Sequence, residues 1–372
     1  MSANMVDLER DTLATVPHES NDDGNTARYD HPLADPTLAL TAITHSSWHT
    51  ALGLRLRYDT NDPTIHAAVL ESFGPSEADP GANATFDAHV QLFLQHVDEA
   101  PDFRPRQPVT RSIGPLFTMA ASRASVVGGD ADSGRAFGFV SPTVVSYRDY
   151  LRATFVQAAF FQIAQRRSLV AVHAACLWKD GRAIMVRGDS GAGKSTLCYA
   201  ALCSGWSLVA EDVVYLRTRR AHAAGPVDPA DVDVFGLPWT LHLLPDAVRL
   251  FPELRSQPQF ERPDGRIKLG VQVAQLFPGQ TQHQTPLCPI VFVDRGGRGV
   301  QTPSLCRLGR DEARARLAAT AIHYEQAAER DFGVWDAFLT QPCYVLTTCG
   351  DPLRNAAELE RVPQPTPYSS SV

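Results

Sequence analysis

Long apolar runs are missing from this 372-residue chain, and their absence sets the first limit on what it does. The most apolar stretches, residues 155–164 and 169–178, are interrupted by Gln162 and His173. Both are too short to span a bilayer, which takes roughly 20 apolar residues, so no membrane partner is expected. An excess of positive charge is missing too. Lys and Arg number 34 against 41 Asp and Glu, a formal charge of −7, which argues against a nucleic-acid-binding protein dominated by phosphate contacts. No cysteines are spaced C-x-x-C; the seven, an odd number lying between Cys176 and Cys349, read as reduced thiols of a cytoplasmic protein. The first residues carry Asp7, Glu9 and Asp11 with no apolar core, so no signal peptide is expected. There is no internal repeat. No Leu-Ser-Gly-Gly-Gln signature occurs, which speaks against a transporter-type ATPase.

What is present divides the chain. Residues 1–36 are polar, with the run Ser20-Asn-Asp-Asp-Gly-Asn25, and read as a disordered arm. Residues 363–372, with three Ser and three Pro, read as a disordered tail. From 37 to 145 short segments alternate with period two, clearest at Val90-Gln-Leu-Phe-Leu-Gln95. They are parted by Pro80-Gly81 and Gly128-Gly129-Asp130, a pattern that predicts a β-rich N-terminal domain. Ser146-Tyr-Arg-Asp149 matches a capping box, and Tyr147, Leu151, Phe155 and Ala158 follow at helical spacing. A helix reaching Arg167 is therefore expected to open a second domain, residues 146–362. In that domain residues 169–178 read as one buried strand and Lys179-Asp180-Gly181 as a hairpin turn into the strand Ala183-Ile-Met-Val186. Pairing across that turn would bring His173 near the far end of the second strand. Further strands are expected over 289–294 and 343–347, a short helix over 246–251 and a longer one over 310–330.

At that far end stands Gly188-Asp189-Ser190-Gly191-Ala192-Gly193-Lys194-Ser195-Thr196, which satisfies G-x-x-x-x-G-K-[ST]. In such a loop the backbone N–H groups cradle phosphates, the lysine reaches the terminal ones and the Ser195 hydroxyl binds Mg²⁺. A strand precedes it, and residues 195–203 read as a helix stopped by Gly205. A mere glycine-rich turn with an exposed lysine would leave this order of elements unexplained, so binding of a nucleotide such as ATP is expected. Sixteen residues separate Lys194 from Glu211, enough for one helix, a turn and one strand. The pair Glu211-Asp212 is therefore expected on the neighbouring strand of the sheet. There Glu211 would serve Mg²⁺ and Asp212 would be free to take a proton from an attacking hydroxyl. Each has a plainer reading: a solvated strand end for the acidic pair, and a satisfied core residue for a histidine in an apolar strand.

Taken together, Val172-His173-Ala-Ala, Gly181-Arg-Ala-Ile, Gly188 to Ser195 and Gly205-Trp-Ser-Leu-Val-Ala-Glu-Asp212 resemble the catalytic domain of HPr kinase/phosphorylase and its relatives. The resemblance covers about forty residues well. It implies an α/β fold, a P-loop kinase domain of the HPr kinase/PEP carboxykinase type, here behind a β-rich N-terminal domain. It also implies phosphoryl transfer from ATP to a serine-type hydroxyl. Carried over by position, Gly188 to Ser195 would hold the phosphates, Ser195 and Glu211 the Mg²⁺, Asp212 would be the base and His173 would lie beside it. The family usually has Asp-Asp where this chain has Glu211-Asp212. The glycine-rich signature that HPr kinases carry after the acidic pair is not found, so the chain looks closer to relatives that modify free serine or a precursor peptide.

Arg266 and Lys268 are candidates to supply a cation to the transferring phosphoryl group, although surface cations are usually only solvated. The expected acceptor is a peptide, a protein or a small molecule. Members of the family often form oligomers, so a homo-oligomer is a further implied partner. The competing reading is a nucleotide-binding regulatory or assembly protein with little or no transfer. Kinases of the shikimate type are disfavoured, because the loop stands at residue 188 behind a separate domain.

Overall fold

The computed structural model describes residues 42–81, 84–97, 99–189, 191–219, 227–262, 265–297, 299–319 and 332–364. The arm expected over 1–36, Ser190, most of the tail and the second half of the helix expected over 310–330 lie outside these residues; the first half is the helix Arg310–Ala319.

The architecture is mixed α/β. Strands β1 (His45–Ala51), β2 (Leu54–Thr60), β3 (Ala88–Leu94), β4 (Val109–Ile113), β5 (Leu116–Ala120), β6 (Val126–Asp130) and β7 (Arg135–Val140) form one sheet in the order β1-β2-β3-β7-β6-β5-β4. The parallel step from β2 to β3 needs a crossover, which the helix Pro63–Phe73 supplies. Pro63 fits its first position, and the Asp62 side chain accepts from the N–H groups of Thr64 and Ile65 at 2.8 and 2.9 Å. Its buried face, Ile65, Ala68, Val69 and Phe73, joins Leu56, Tyr58, Val90 and Leu92 in one core.

Three expectations change here. The segment around Val90 is a central strand with both Leu92 and Phe93 buried, because Phe93 packs on Phe137 and Phe139 on the sheet's other face. Gly128-Gly129-Asp130 is not a turn but the end of β6. A Cβ on Gly129 would stand 2.7 Å from the Phe117 ring, so glycine serves close packing there. Ser146 caps nothing: its hydroxyl donates to Thr143 O, and the working cap is Ser141, which accepts from Val144 N–H ahead of the helix Pro142–Ser146. The chain then continues through Arg148–Leu151, a π-helical turn over Arg152–Gln157, and Ala158–Ala164. Leu151, Phe155, Ala159, Phe160 and Ile163 pack into the core of the first sheet. This helical segment thus covers the first sheet.

The remaining strands are β8 (Val170–Val172), β9 (Ala175–Lys179), β10 (Arg182–Arg187), β11 (Ser207–Ala210), β12 (Val214–Thr218), β13 (Val232–Phe235), β14 (Thr240–Leu243), β15 (Gln259–Glu261), β16 (Ile267–Gln272), β17 (Gln284–Pro286), β18 (Ile290–Arg295), β19 (Ser304–Arg307) and β20 (Cys343–Thr348). Six of them form the sheet β11-β9-β10-β18-β20-β19; smaller sheets run β17-β13-β12-β8 and β14-β16-β15. The inner strands of the six-stranded sheet are buried on both faces, as near-continuous apolar strands require, while the edge strand β19 is largely exposed. Ile184 and Val186 of β10 join the core beneath the helix Lys194–Cys203, while Ala183 and Met185 join the core on the other side.

Residues 169–178 are not one strand. Ala174 N–H bonds back to Val172 O at 2.9 Å, a tight turn that sends β8 into the four-stranded sheet and β9 into the six-stranded one, with His173 at the switch. Nor does the strand before Glu211 neighbour β10. Asp180 and Gly181 both take positive φ, 49° and 79°, as a two-residue hairpin turn needs. That hairpin lays β9 in the lane beside β10, so β11 pairs outside it. Where a helix is expected over 246–251 there is a 3-10 turn, Pro245–Arg249, and a second 3-10 turn, Pro252–Ser256, begins at the proline expected to end that helix. Among the described residues no helix is long and apolar enough to cross a membrane.

One close approach sets up the site. A Cβ on Gly236 would stand 2.0 Å from Val209 O and 2.7 Å from Ala210 Cβ, and a strand carbonyl cannot yield. Gly236→Ala is expected to cost about 2–3 kcal/mol, read as a lower urea midpoint at unchanged slope.

Candidate active site

Gly188 leaves β10 pressed against β18, where a Cβ would meet Val293 O at 3.0 Å and Ala192 Cβ at 3.2 Å. Gly193, at φ 104°, turns the chain directly into the helix Lys194–Cys203, whose first turn has no side-chain cap. The first N–H groups are therefore left for an external acceptor at the positive end of the helix dipole. The other end is closed by Gly205, which donates to Leu202 O while Trp206 N–H donates to Ala201 O, both at 3.0 Å. This is the Schellman arrangement, with buried Trp206 as its apolar anchor.

Lys194 Nζ donates to Gly188 O at 2.6 Å and reaches Asp189 O at 3.5 Å. Burial pushes its ammonium below the usual lysine range, with Asp212 acting in the opposite direction. Ser195 Oγ donates to Glu211 Oε1 at 3.3 Å, and Glu211 Oε2 accepts from His242 Nδ1 at 2.6 Å. Glu211 is thus turned inward and held, its side chain only 12% exposed. Asp212, the next residue, is turned outward, 58% exposed, with one carboxylate oxygen 3.5 Å from His173 Nδ1. The pair expected on a strand stands instead in the bend just past the end of β11, its two carboxylates diverging, and the tight turn at Ala174 puts His173 beside Asp212.

These residues lie where two cavities meet. The larger, about 1,040 Å³, runs over Asp189, Gly191 to Leu197 and His173 to Arg266 and to the ends of β18 and β20. The smaller, about 400 Å³, lies between the segment 149–161 and the strands around Thr240 and Phe260. Ser195, Asp212, Arg262 and Lys268 line both. Arg266 lines the larger only. Ala192, Gly193 and Thr196 also face the larger cavity, so every described residue of the loop from Gly191 onward borders it.

Two residues of this constellation were not singled out by sequence reasoning. His242 lies 31 positions from the carboxylate it holds, and Arg262 reaches the site through the β15–β16 hairpin; neither leaves a local signal. Among the described residues no group of three or more His, Cys, Asp or Glu could hold a metal. Ser195 and Glu211 offer adjacent oxygen donors instead, the kind of partial set that suits a hard cation carried in with phosphates.

In comparisons with known proteins the chain matches no family model and no curated protein. Among solved structures it is similar to the Hpr(Ser) kinase/phosphatase from Coxiella burnetii, at 14% identity, over 51% of this chain and 95% of that one, with a TM-score of 0.26.

Proposed function

We propose that this protein is an ATP- and Mg²⁺-dependent kinase that transfers a phosphoryl group to a hydroxyl. The observation that carries the reading is the convergence of Lys194, Ser195, Glu211 and Asp212 at the junction of two cavities. One cavity would take the donor nucleotide and the other the acceptor.

In this reading the triphosphate lies on the first-turn N–H groups of the helix Lys194–Cys203, and Lys194 exchanges its Gly188 carbonyl for phosphate oxygens. A magnesium ion held by the Ser195 hydroxyl and Glu211 carboxylate would neutralise charge on the transferring group. Asp212 takes the proton from the acceptor hydroxyl as its oxygen bonds to the terminal phosphorus and the bond to the departing diphosphate breaks. Exposure suits Asp212 to that role and its inward, clamped neighbour to the other. His173 orients Asp212. Arg262, Lys268 and Arg266 place positive charge where the phosphoryl oxygens gain negative charge.

Incubation with γ-labelled ATP and Mg²⁺, over a panel of metabolites and serine peptides, tests this by mass spectrometry of the product. Stoichiometric nucleotide binding with no phosphorylated product would replace it with the reading of a nucleotide-binding regulatory protein. The clamp on Glu211 has its own expected result. His242→Ala should raise the Mg²⁺ requirement roughly tenfold, as loss of a partner that orients a metal ligand does, while metal-free nucleotide binding stays unchanged. A magnesium titration of both quantities decides it.

A further inference from the structure

The smaller cavity bears on which acceptor is used, an inference that rests on the kinase reading above. Its outer wall is the segment 149–161, which includes the π-helical turn Arg152–Gln157. Single π turns are rare and frequently sit at functional sites. Here the turn is fixed in place by Arg152, 5% exposed, which donates to Asp149 Oδ1 at 3.2 Å and to Thr240 Oγ1 at 2.8 Å and lies 3.8 Å from Glu71 Oε2. One buried guanidinium thus ties the helix Pro63–Phe73 of the first sheet to β14 beside Glu211. The chamber is preformed, not left between loose elements.

Its size, about 400 Å³, is at the low end for small-molecule sites, roughly 300–1,000 Å³. A serine on a protein surface would need only to reach Asp212, which is already more than half exposed, and would leave the chamber behind it unfilled. A free compound needs the rest of its body held, and Ala153, Gln157, Phe161 and Leu237 present mixed apolar and amide surface for that. The charged walls nearly balance, with Asp149, Glu211, Asp212 and Glu261 against Arg152, Arg262 and Lys268. A polyanion finds no net attraction in such a chamber.

We propose that the smaller cavity is the acceptor chamber and that it takes a free, metabolite-sized hydroxyl compound that is neutral or zwitterionic. Transfer moves the terminal phosphoryl of ATP onto that hydroxyl oxygen, the hydroxyl proton going to Asp212 and ADP leaving.

The experiment uses the full chain with Mg²⁺ and γ-labelled ATP against four probe sets: hydroxy amino acids, polyols, phosphorylated or dicarboxylic hydroxy compounds, and serine peptides. Label is expected on a member of the first two sets. Ala153→Phe, at an exposed position that lines the chamber, is expected to lower kcat/KM for that compound by roughly 100-fold while nucleotide affinity stays within about twofold. Gln157→Ala, a milder change that leaves no bulk to misfold, is expected to raise the acceptor KM roughly fivefold with kcat held. Label only on peptides or on the anionic set overturns the proposal and leaves the kinase reading standing, as does unchanged acceptor kinetics in both variants. Nucleotide binding without label on any probe overturns both.

Discussion

Lys194→Met is expected to reduce phosphoryl transfer by roughly a thousandfold, at the upper end for loss of one pre-aimed charged donor, and to do so without lowering thermal stability. The ammonium is held at the loop by Gly188 O at 2.6 Å, a carbonyl that, in the proposed reading, it exchanges for the phosphates of the nucleotide. Burial depresses its pKa, and the sign of the consequence can be worked out. Between the lowered folded value and the ordinary unfolded one, the unfolded chain binds more protons, so stability rises with pH across that window. At neutral pH the charged Lys194 is therefore a cost to the fold, which the methionine removes. Nucleotide affinity of the wild type should fall on the alkaline side earlier than an exposed lysine would make it fall, and Lys194→Met should abolish that fall. Calorimetric titration with ATP over pH, beside melting curves of both proteins, measures the two effects. A variant that melts well below the wild type would show that Lys194 holds the loop together instead.

Asp212→Asn is expected to keep nucleotide binding and to lose between about a hundredfold and ten thousandfold in transfer, the range for removing a positioned general base. Asparagine preserves shape and a contact to His173, now 3.5 Å from the carboxylate, but takes no proton from a hydroxyl. The comparison that isolates the role is Glu211→Gln. Glu211 is clamped between Ser195 and His242, so its loss should appear in the magnesium dependence, whereas Asp212→Asn should lower transfer at saturating Mg²⁺. Single-turnover transfer at several Mg²⁺ concentrations separates the two, and full transfer by Asp212→Asn would remove the base assignment.

Much of the candidate site's local structure was legible in the chain because its parts are set by local geometry. Asp180-Gly181 supplies two residues that tolerate positive φ, and the hairpin follows. Gly193 and Gly205 bracket a helix whose ends are decided by backbone conformation within a few residues. The adjacent carboxylates follow directly on the end of β11, where the chain leaves the sheet edge. What was misread depended on partners far along the chain. Residues 169–178 look like one strand, yet β8 and β9 belong to different sheets, since β8 pairs with β12 while β9 pairs with β10 and β11. Gly128-Gly129 looks like a turn until Phe117 is packed against it.

The amino-acid sequence by itself determined the loop, its lysine and hydroxyl, and the acidic pair after it, since each depends on dihedral preferences and spacing over a handful of residues. Only the tertiary structure decided that β11 pairs on the outer edge of β9, that His242 grips Glu211, that Arg262 comes to the same place, and that Arg152 joins the first sheet to the wall of the smaller cavity. Those outcomes follow from pairing and packing between residues about 30 to 90 positions apart, where spacing along the chain carries no record of distance in space.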